Sequence, residues 1–398
     1  MQLINSATIG ALLTGVGLAA TPPLYRITDL GPSAEPAAIN GLGQIVGSFQ
    51  TGEGFTRAFL WSNGTLTDLG TLGGIQSYAT GINDAGDVVG ISYMPDNVLT
   101  VAFFYHAGVM LPLPGLEATN SDASAISNRG DICGSFQIAE NVEHAFLYRD
   151  GVLNDLGVLG GTRSFALDVN EDGWVTGESE VSDYGSFHAY VFHDGAMTDL
   201  GTLGGLYSYG FAMNDSGQIT GTTDLNAYQG YHAYRFSGGV MQDLGTLGGC
   251  CSDGYGINNL GEVVGEAISS ETGEYHGFIY SDGVMYDLNH HVRCADRNFV
   301  ITWANDINDS GEIVATAYDV RDGSGHGVLL TPTAEADYLA GDVNGDWAVT
   351  LDDLAILLAN FGIDVGATPN QGDMDADGDV DLGDLSGMLA QYGKTCPH

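Results

Sequence analysis

Positive charge is what this sequence has least of: 10 Lys plus Arg stand against 51 Asp plus Glu, a formal charge of −41 over 398 residues. Such a chain repels nucleic acid and anionic lipid and favours cations or neutral ligands, although solubility in salt accounts for the acidity equally well. Cysteine is scarce too. Five over this length are too few for a disulfide scaffold, and none falls in a CxxC zinc pattern. No segment beyond the N-terminus is long and apolar enough to span a bilayer. Helical periodicity is nearly missing before residue 350, and no Ser-His-Asp pattern, nucleophile elbow or phosphate-cradling glycine motif precedes a helix. What remains is 44% hydrophobic with 60 glycines, the composition of a turn-dense all-β protein with a sizeable core.

One stretch organises the rest. Ile82-Asn83-Asp84-Ala85-Gly86-Asp87-Val88-Val89-Gly90 returns at Ile39 to Gly47, Ile126 to Gly134, Val169 to Gly177, Met213 to Gly221, Ile257 to Gly265 and Ile307 to Ala315. The steps are 43 or 44 residues and the last is 50, a period that belongs to arrays with one multi-stranded unit per repeat. An Asn that bonds its own turn, followed three positions later by Gly, closes a tight hairpin; the residues between them carry no expected role.

Four short strands fill each repeat. A segment ending in Asp-Leu-Gly (Asp68, Asp155, Asp199, Asp243) leads through a glycine loop such as Gly70 to Gly74 into a strand of small residues such as Ser77 to Ile82. The Asn turn then leads to a third strand, and a variable loop leads to a fourth, seen as His144-Ala145-Phe146 and His188-Ala189-Tyr190. Two-residue turns such as Asn63-Gly64 close the cycle. Four strands seven times over predict a seven-bladed β-propeller. The short turns cannot leave a blade, so the crossover is either the glycine loop or the variable loop. Small side chains suit the crowded place next to the axis, which makes the glycine loop the expected crossover, the small-residue strand the innermost and the Asp-Leu-Gly strand the outermost. The last repeat lacks an outer strand while Leu24 to Leu30 precedes any inner one. The two ends are therefore expected to share a blade, which removes an open sheet edge.

The combination of Asp-Leu-Gly-Thr-Leu-Gly-Gly, the Asn-Asp-x-Gly turn and His-Ala-Phe or His-Ala-Tyr resembles the HAF family of extracellular bacterial repeats over residues 24–331. The resemblance implies a location outside the cell and a propeller, and no established reaction. Residues 1–20 agree: Ile9 to Ala20 is a short apolar run with Gly17 and Ala19 small enough for signal-peptide cleavage, although its n-region lacks Lys and Arg.

Beyond a linker at 332–339 the pattern changes. Two acidic loops each precede an amphipathic segment, and ligand positions 1, 3, 5, 7, 9 and 12 of a calcium loop fall on Asp342, Asn344, Asp346, the Ala348 carbonyl, Thr350 and Asp353, then on Asp373, Asp375, Asp377, the Asp379 carbonyl, Asp381 and Asp384. Gly378 marks the sharp turn of the second loop, where the first has Trp347. This tandem over residues 340–398 resembles a type I dockerin. The resemblance implies two Ca²⁺ ions and docking to a cohesin or similar protein, although Leu351-Asp352 and Leu382-Gly383 stand where that family often has Ser-Thr.

Histidines recur at His144, His188, His232, His276 and His326. Equivalent residues of different blades lie on a wide ring, too wide for several to reach one ion, so each is expected to satisfy groups of its own blade. Binding is expected where the repeat breaks, in the variable loops: Tyr184, Tyr228, Tyr231 and Tyr275 beside Glu180, Asp183, Asp224 and Glu274. Aromatic faces next to carboxylates suit sugar rings, and Tyr and Asp are also ordinary loop residues. Cys250 and Cys294 lie at matching distances beyond Asp243 and Asp287 and are candidates for a bridge between neighbouring blades. The expectation is a secreted recognition or scaffold protein that binds a glycan or protein partner without catalysis. The competing class is a polysaccharide-active enzyme, hydrolase or lyase, with carboxylates on the same face.

Overall fold

The computed structural model describes residues 22–182, 185–226, 230–333, 341–344, 348–363, 366–368, 371–374 and 378–395. The expected export segment 1–20 and linker residues 334–339 lie outside them. Seven four-stranded antiparallel sheets account for residues 24–333. Each sheet runs from an inner strand of small residues, such as Ser164–Val169, through Val175–Glu180 and Phe187–His193 to an outer strand, Ala196–Asp199. Inner strands neighbour one another round a common axis, and the glycine loop carries the chain to the next blade, as the small residues of the inner strand suggest.

Closure follows the expected route. Leu24–Pro32 is the outer strand of blade seven and pairs with Ser324–Thr333, Leu24 opposite Thr333 and Pro32 opposite His326. The last repeat is six residues longer, and the added length is taken up around two short 3₁₀ turns, Leu288–His291 and Cys294–Asp296. They brace the closing strand from its far side: Val292 bridges Tyr25, and the Arg293 amide donates to the Tyr25 carbonyl at 3.0 Å.

The apolar core is a set of layers between adjacent blades. Val89 and Ala102 of blade two pack on Ala123, Ile126, Ile132 and Phe146 of blade three, and Val314 and Leu329 of blade seven pack on Ile39, Ile45 and Phe59 of blade one.

Polar ties complete these layers, and the Asn turn supplies most of them. Within its own hairpin Asn214 Oδ1 accepts from the amides of Ser216 and Gln218. Its Nδ2 crosses to the next blade and donates to the Asn258 carbonyl at 3.0 Å. The same crossing joins Asn40 to Asn83, Asn83 to Ser127, Asn170 to Asn214, Asn258 to Asn308 and, across closure, Asn308 to Asn40. The residue after the Asn is not indifferent, contrary to expectation. Asp84, Asn128, Glu171, Asp215, Asn259 and Asp309 each accept, through a side-chain oxygen, the backbone amide of the matching residue one blade earlier. We expect Asn214→Ala to cost about 2 kcal/mol, since it removes two bonds that close its own hairpin and one buried bond to the next blade at once. Urea unfolding checks this, and a loss below about 0.5 kcal/mol would confine the Asn to an ordinary surface-turn role.

The described residues from 341 to 395 form a separate helical unit. Helices α1 (Leu351–Asn360) and α2 (Leu382–Gln391) both start on a capping box, Thr350 with Asp353 and Asp381 with Asp384. Val343, Val349, Leu357, Val380 and Met388 make its core. The halves repeat one another: Val349 exchanges backbone bonds with Gly393 and Lys394, and Val380 with Gly362 and Ile363. No described helix is long and apolar enough to cross a membrane.

Candidate functional site

The axis is lined by one side of each inner strand, because side chains two apart share a face. The strands are short and bulged. Five of the seven have Ala or Gly at the bulge, and the other two have Asp168 and Asp306. Just above the bulges is a cavity of about 180 Å³ whose wall is uneven. It is small-sided on blades one to three (Ala37, Thr80, Ser124) and bulky on blades four to six (Leu167, Phe211, Tyr255). Two residues further toward the loop-bearing face the same positions carry Phe165, Tyr209, Asp253 and, by its pairing with Thr316, Trp303. Trp303 is 50% exposed.

An aromatic arc therefore runs round one side of the mouth. The Tyr209 and Phe211 rings stack with centroids 6.1 Å apart, and Phe211 meets Tyr255 at 5.6 Å. Carboxylates are interleaved with it. Asp253 accepts from Thr222 Oγ1 at 2.5 Å, and Glu266 Oε1 accepts from the Tyr255 hydroxyl at 2.9 Å. Burial pushes Glu266 up to about 7, an effect that the bond from Tyr255 and the weaker pull of the nearby Trp303 indole only partly offset and that nearby Asp253 reinforces. Glu178, opposite Phe165, is raised to about 7 by burial, against the pull of Arg163. At the bulges burial raises Asp168 to about 6 and Asp306 to about 7. Each spans to the next blade, Asp168 accepting from the Met213 amide at 2.7 Å and Asp306 from the Ile39 amide at 3.0 Å.

At the opposite end of the axis the Asn turns surround a second hollow of about 220 Å³. Its Asp and Asn side chains are engaged in the ties between blades, so this end reads as a clamp.

The histidines behave as expected. In blades three to six the Nδ1 of His144, His188, His232 and His276 meets Asp155, Asp199, Asp243 and Asp287 of the adjoining outer strand at 2.5–2.9 Å, and in blade seven His326 meets Asp29 at 2.9 Å. All but Asp287 also take the amide of the glycine two residues on, while Asp287 takes that of Asn289. His276 is held above its ordinary value, first by its bond to Asp287. Its contribution to stability is thus complete below about pH 6.5 and fades as pH rises through the higher folded value.

The loop candidates are only partly brought together. Tyr231 and Tyr275 of neighbouring blades share a hydroxyl–hydroxyl bond of 2.7 Å, and the Tyr209 phenol, raised first by burial and then by Glu178, is raised further by Asp224. Glu274 is exposed, away from such a partner set. Glu180 is buried, and its Oε2 takes the amide and hydroxyl of Thr162, so it braces the glycine loop. Asp183, Tyr184 and Tyr228 lie outside the described residues. Cys250 and Cys251 are free thiols, and the bridge from Cys250 to Cys294 is not formed. Cys294 falls in the six-residue insertion, which spoils the correspondence inferred from spacing; its side chain is outside the description.

In the helical unit, carboxylate oxygens of Asp379, Asp381 and Asp384 come within 4.8 Å of one another. Asp384 accepts from the Met374 and Asp381 amides at 2.6 and 2.7 Å, and Asp353 takes Val343, Asn344 and Thr350 in the same way. Asp342, Asn344, Ala348 and Asp373 begin or follow the two loops, while Asp346, Asp375 and Asp377 lie outside the described residues. All the donors are oxygens, which fits a hard cation.

No protein-family model matches the chain, and no curated protein matches it. Solved structures do. The β-propeller domain of the Trilobed protease from Pyrococcus furiosus aligns at 9% identity with a TM-score of 0.52, covering 78% of this chain and 96% of that domain. A puromycin-hydrolysing peptidase of Mycobacterium tuberculosis (13%, TM-score 0.48) is matched over 82% of this chain and 57% of its own, and TolB of Acinetobacter baumannii (11%, TM-score 0.44) over 73% and 64%. The chain thus spans less than two thirds of the latter two. At such identities the likeness shows a propeller and nothing of activity. The Pyrococcus domain has an open velcro topology, whereas here the first strand completes the last blade.

Proposed function

We propose that this chain is an exported, non-catalytic recognition protein that takes a glycan or protein partner at the loop-side mouth of the propeller and is attached elsewhere through a calcium-dependent, dockerin-like module, to a cohesin or another protein. The observation that carries the first half is the arc Tyr209, Phe211, Tyr255 and half-exposed Trp303 set among Asp253 and Glu266. Aromatic faces with polar groups between them form a contact surface of low entropic cost. A glycan and peptide array probed with the full chain tests it. We expect a ligand whose binding falls at least tenfold in Trp303→Ala and Phe211→Ala, and ligands indifferent to both changes would move the site elsewhere.

Support for the attachment unit is the duplicated loop-and-helix design with all-oxygen donors. When bound, Ca²⁺ would tie each loop to its helix through Asp353 or Asp384. Calorimetry is expected to give two calcium ions per chain and one after Asp373→Ala; unchanged stoichiometry would remove the assignment.

One observation favours the enzyme reading. Burial raises Glu178 and Glu266 to about 7, so each is partly protonated near neutral pH, as a general acid needs. Its signature is release of reducing ends from polysaccharide, abolished by Glu266→Gln.

A further inference from the structure

Glu266 stands out among the acids of the channel. It is only 8% exposed, its Oε1 is occupied by Tyr255, and its Oε2 has no hydrogen-bond partner. A buried carboxylate oxygen left open costs more than a bond is worth, so its persistence asks for an explanation. Among the described residues no arginine acts on it. Arg163 eases Glu178, but the influences on Glu266 are burial, the Tyr255 hydroxyl, Asp253 and the Trp303 indole. Other groups facing this corner are Thr222, which bonds Asp253, and Tyr231, which acts on Tyr255. The chain has a single lysine, Lys394, and it belongs to the helical unit. The propeller itself therefore has no ammonium to offer.

Three requirements coincide here. The open oxygen needs a donor, two neighbouring carboxylates need a positive charge, and the π faces of Trp303, Tyr255 and Phe211 attract cations. A neutral sugar hydroxyl meets the first alone. A protonated amine meets all three. We infer that the corner formed by Glu266, Asp253, Tyr255, Trp303 and Phe211 is a binding site for an organic ammonium group, presented by a basic peptide as a lysine side chain. The inference rests on the loop-side mouth being the recognition site and names the group that this mouth selects. The ammonium donates to Glu266 Oε2 and lies against the indole of Trp303, and the field of the acidic channel draws it in. Because Glu266, raised to about 7, is partly protonated near neutral pH and ionises fully beside the cation, binding releases protons there.

The experiment is calorimetry on the full chain with Nα-acetyl-lysine amide and n-butylammonium. Nα-acetyl-norleucine amide and methyl glucoside serve as neutral counterparts, each measured at pH 7 in two buffers of different ionisation enthalpy. Expected are binding of both cations, tighter for the lysine amide, at least tenfold weaker binding of the neutral probes, and proton release. Glu266→Gln, which keeps the shape, and Trp303→Phe should each weaken cation binding at least tenfold, and the first should abolish proton release. Glu53→Gln on an exposed loop should leave both unchanged, which separates a specific site from general attraction to an acidic protein. Equal binding of methyl glucoside, or cation binding unaltered in Glu266→Gln, overturns the inference. If no cation binds while an array ligand still depends on Trp303, the ammonium assignment fails and the mouth stands; if nothing depends on Trp303, the mouth fails as well. A free amine that binds better than the lysine amide overturns the peptide source.

Discussion

Removing residues 24–32 is expected to leave the chain without a cooperative unfolding transition. That segment is the outer strand of blade seven, paired along its length with Ser324–Thr333. It buries Tyr25, Ile27 and Leu30, the last in the layer between blades seven and one. Burying three large side chains is worth about 2 kcal/mol each, and a domain has only about 5–15 kcal/mol in all. Losses accumulate beyond burial. His326 loses Asp29, the insertion turn loses the Tyr25 carbonyl and its bridge at Val292, and the Ser324–Thr333 strand becomes an open edge. Circular dichroism melts and size-exclusion profiles would show aggregation or a broad, shallow transition. The milder Ile27→Ala should keep the fold and lose about 3 kcal/mol, the usual cost of truncating a buried isoleucine. A deletion variant that melts like the parent would mean that the ring closes without this strand.

Much of this architecture was legible because it rests on local rules repeated seven times. The Asn-x-x-Gly turn and the two-residue turn at Asn63-Gly64 narrowed the crossover to two loops, the small residues of the inner strand chose between them, and the missing outer strand of the last repeat gave closure. The pairing of His188 with Asp199 was readable as a duty within the blade, since the two lie 11 residues apart on adjoining strands. The contacts between blades were not. Asn214 meets Asn258 and Asp215 meets Asn259 across 44 residues, and nothing in one repeat announces a partner in the next. The mouth was missed for a related reason. Variation is most conspicuous in the loops, whereas Tyr209, Asp253 and Trp303 vary inside strands, at a position where other copies have Glu35 or Tyr78. Variation at one fixed register of an otherwise constant strand was the available signal. Glu266 carried it as well, opposite Asp253 where Ser48 and Thr222 stand in other blades.

Gly177→Ala is expected to destabilise the protein by about 3 kcal/mol, the upper range for overpacking, although the change adds one methyl group. A Cβ at Gly177 would overlap the Phe165 carbonyl of the inner strand, and the same holds for Gly47, Gly90, Gly134, Gly221 and Gly265 against their own inner strands. The cause is the bulge. The register shifts between Ala166 and Asp168, bending the inner strand toward its neighbour at the level of the glycine. Blade seven tests the explanation internally. Its inner strand has a second irregularity, between Ile301 and Trp303, and there alone the glycine is replaced, by Ala315. Ala315→Gly should accordingly lose no more than about 1 kcal/mol, the general penalty of glycine in a strand. Denaturant unfolding of the two variants side by side decides the matter, and similar small losses in both would discard the steric account. The bulge that excludes a side chain at Gly177 also turns Asp168 into the axial cavity and sets Phe165 and Glu178 at its mouth. Gly177→Ala should therefore weaken any ligand held at the mouth in parallel with its loss of stability, whereas Ala315→Gly should leave binding intact.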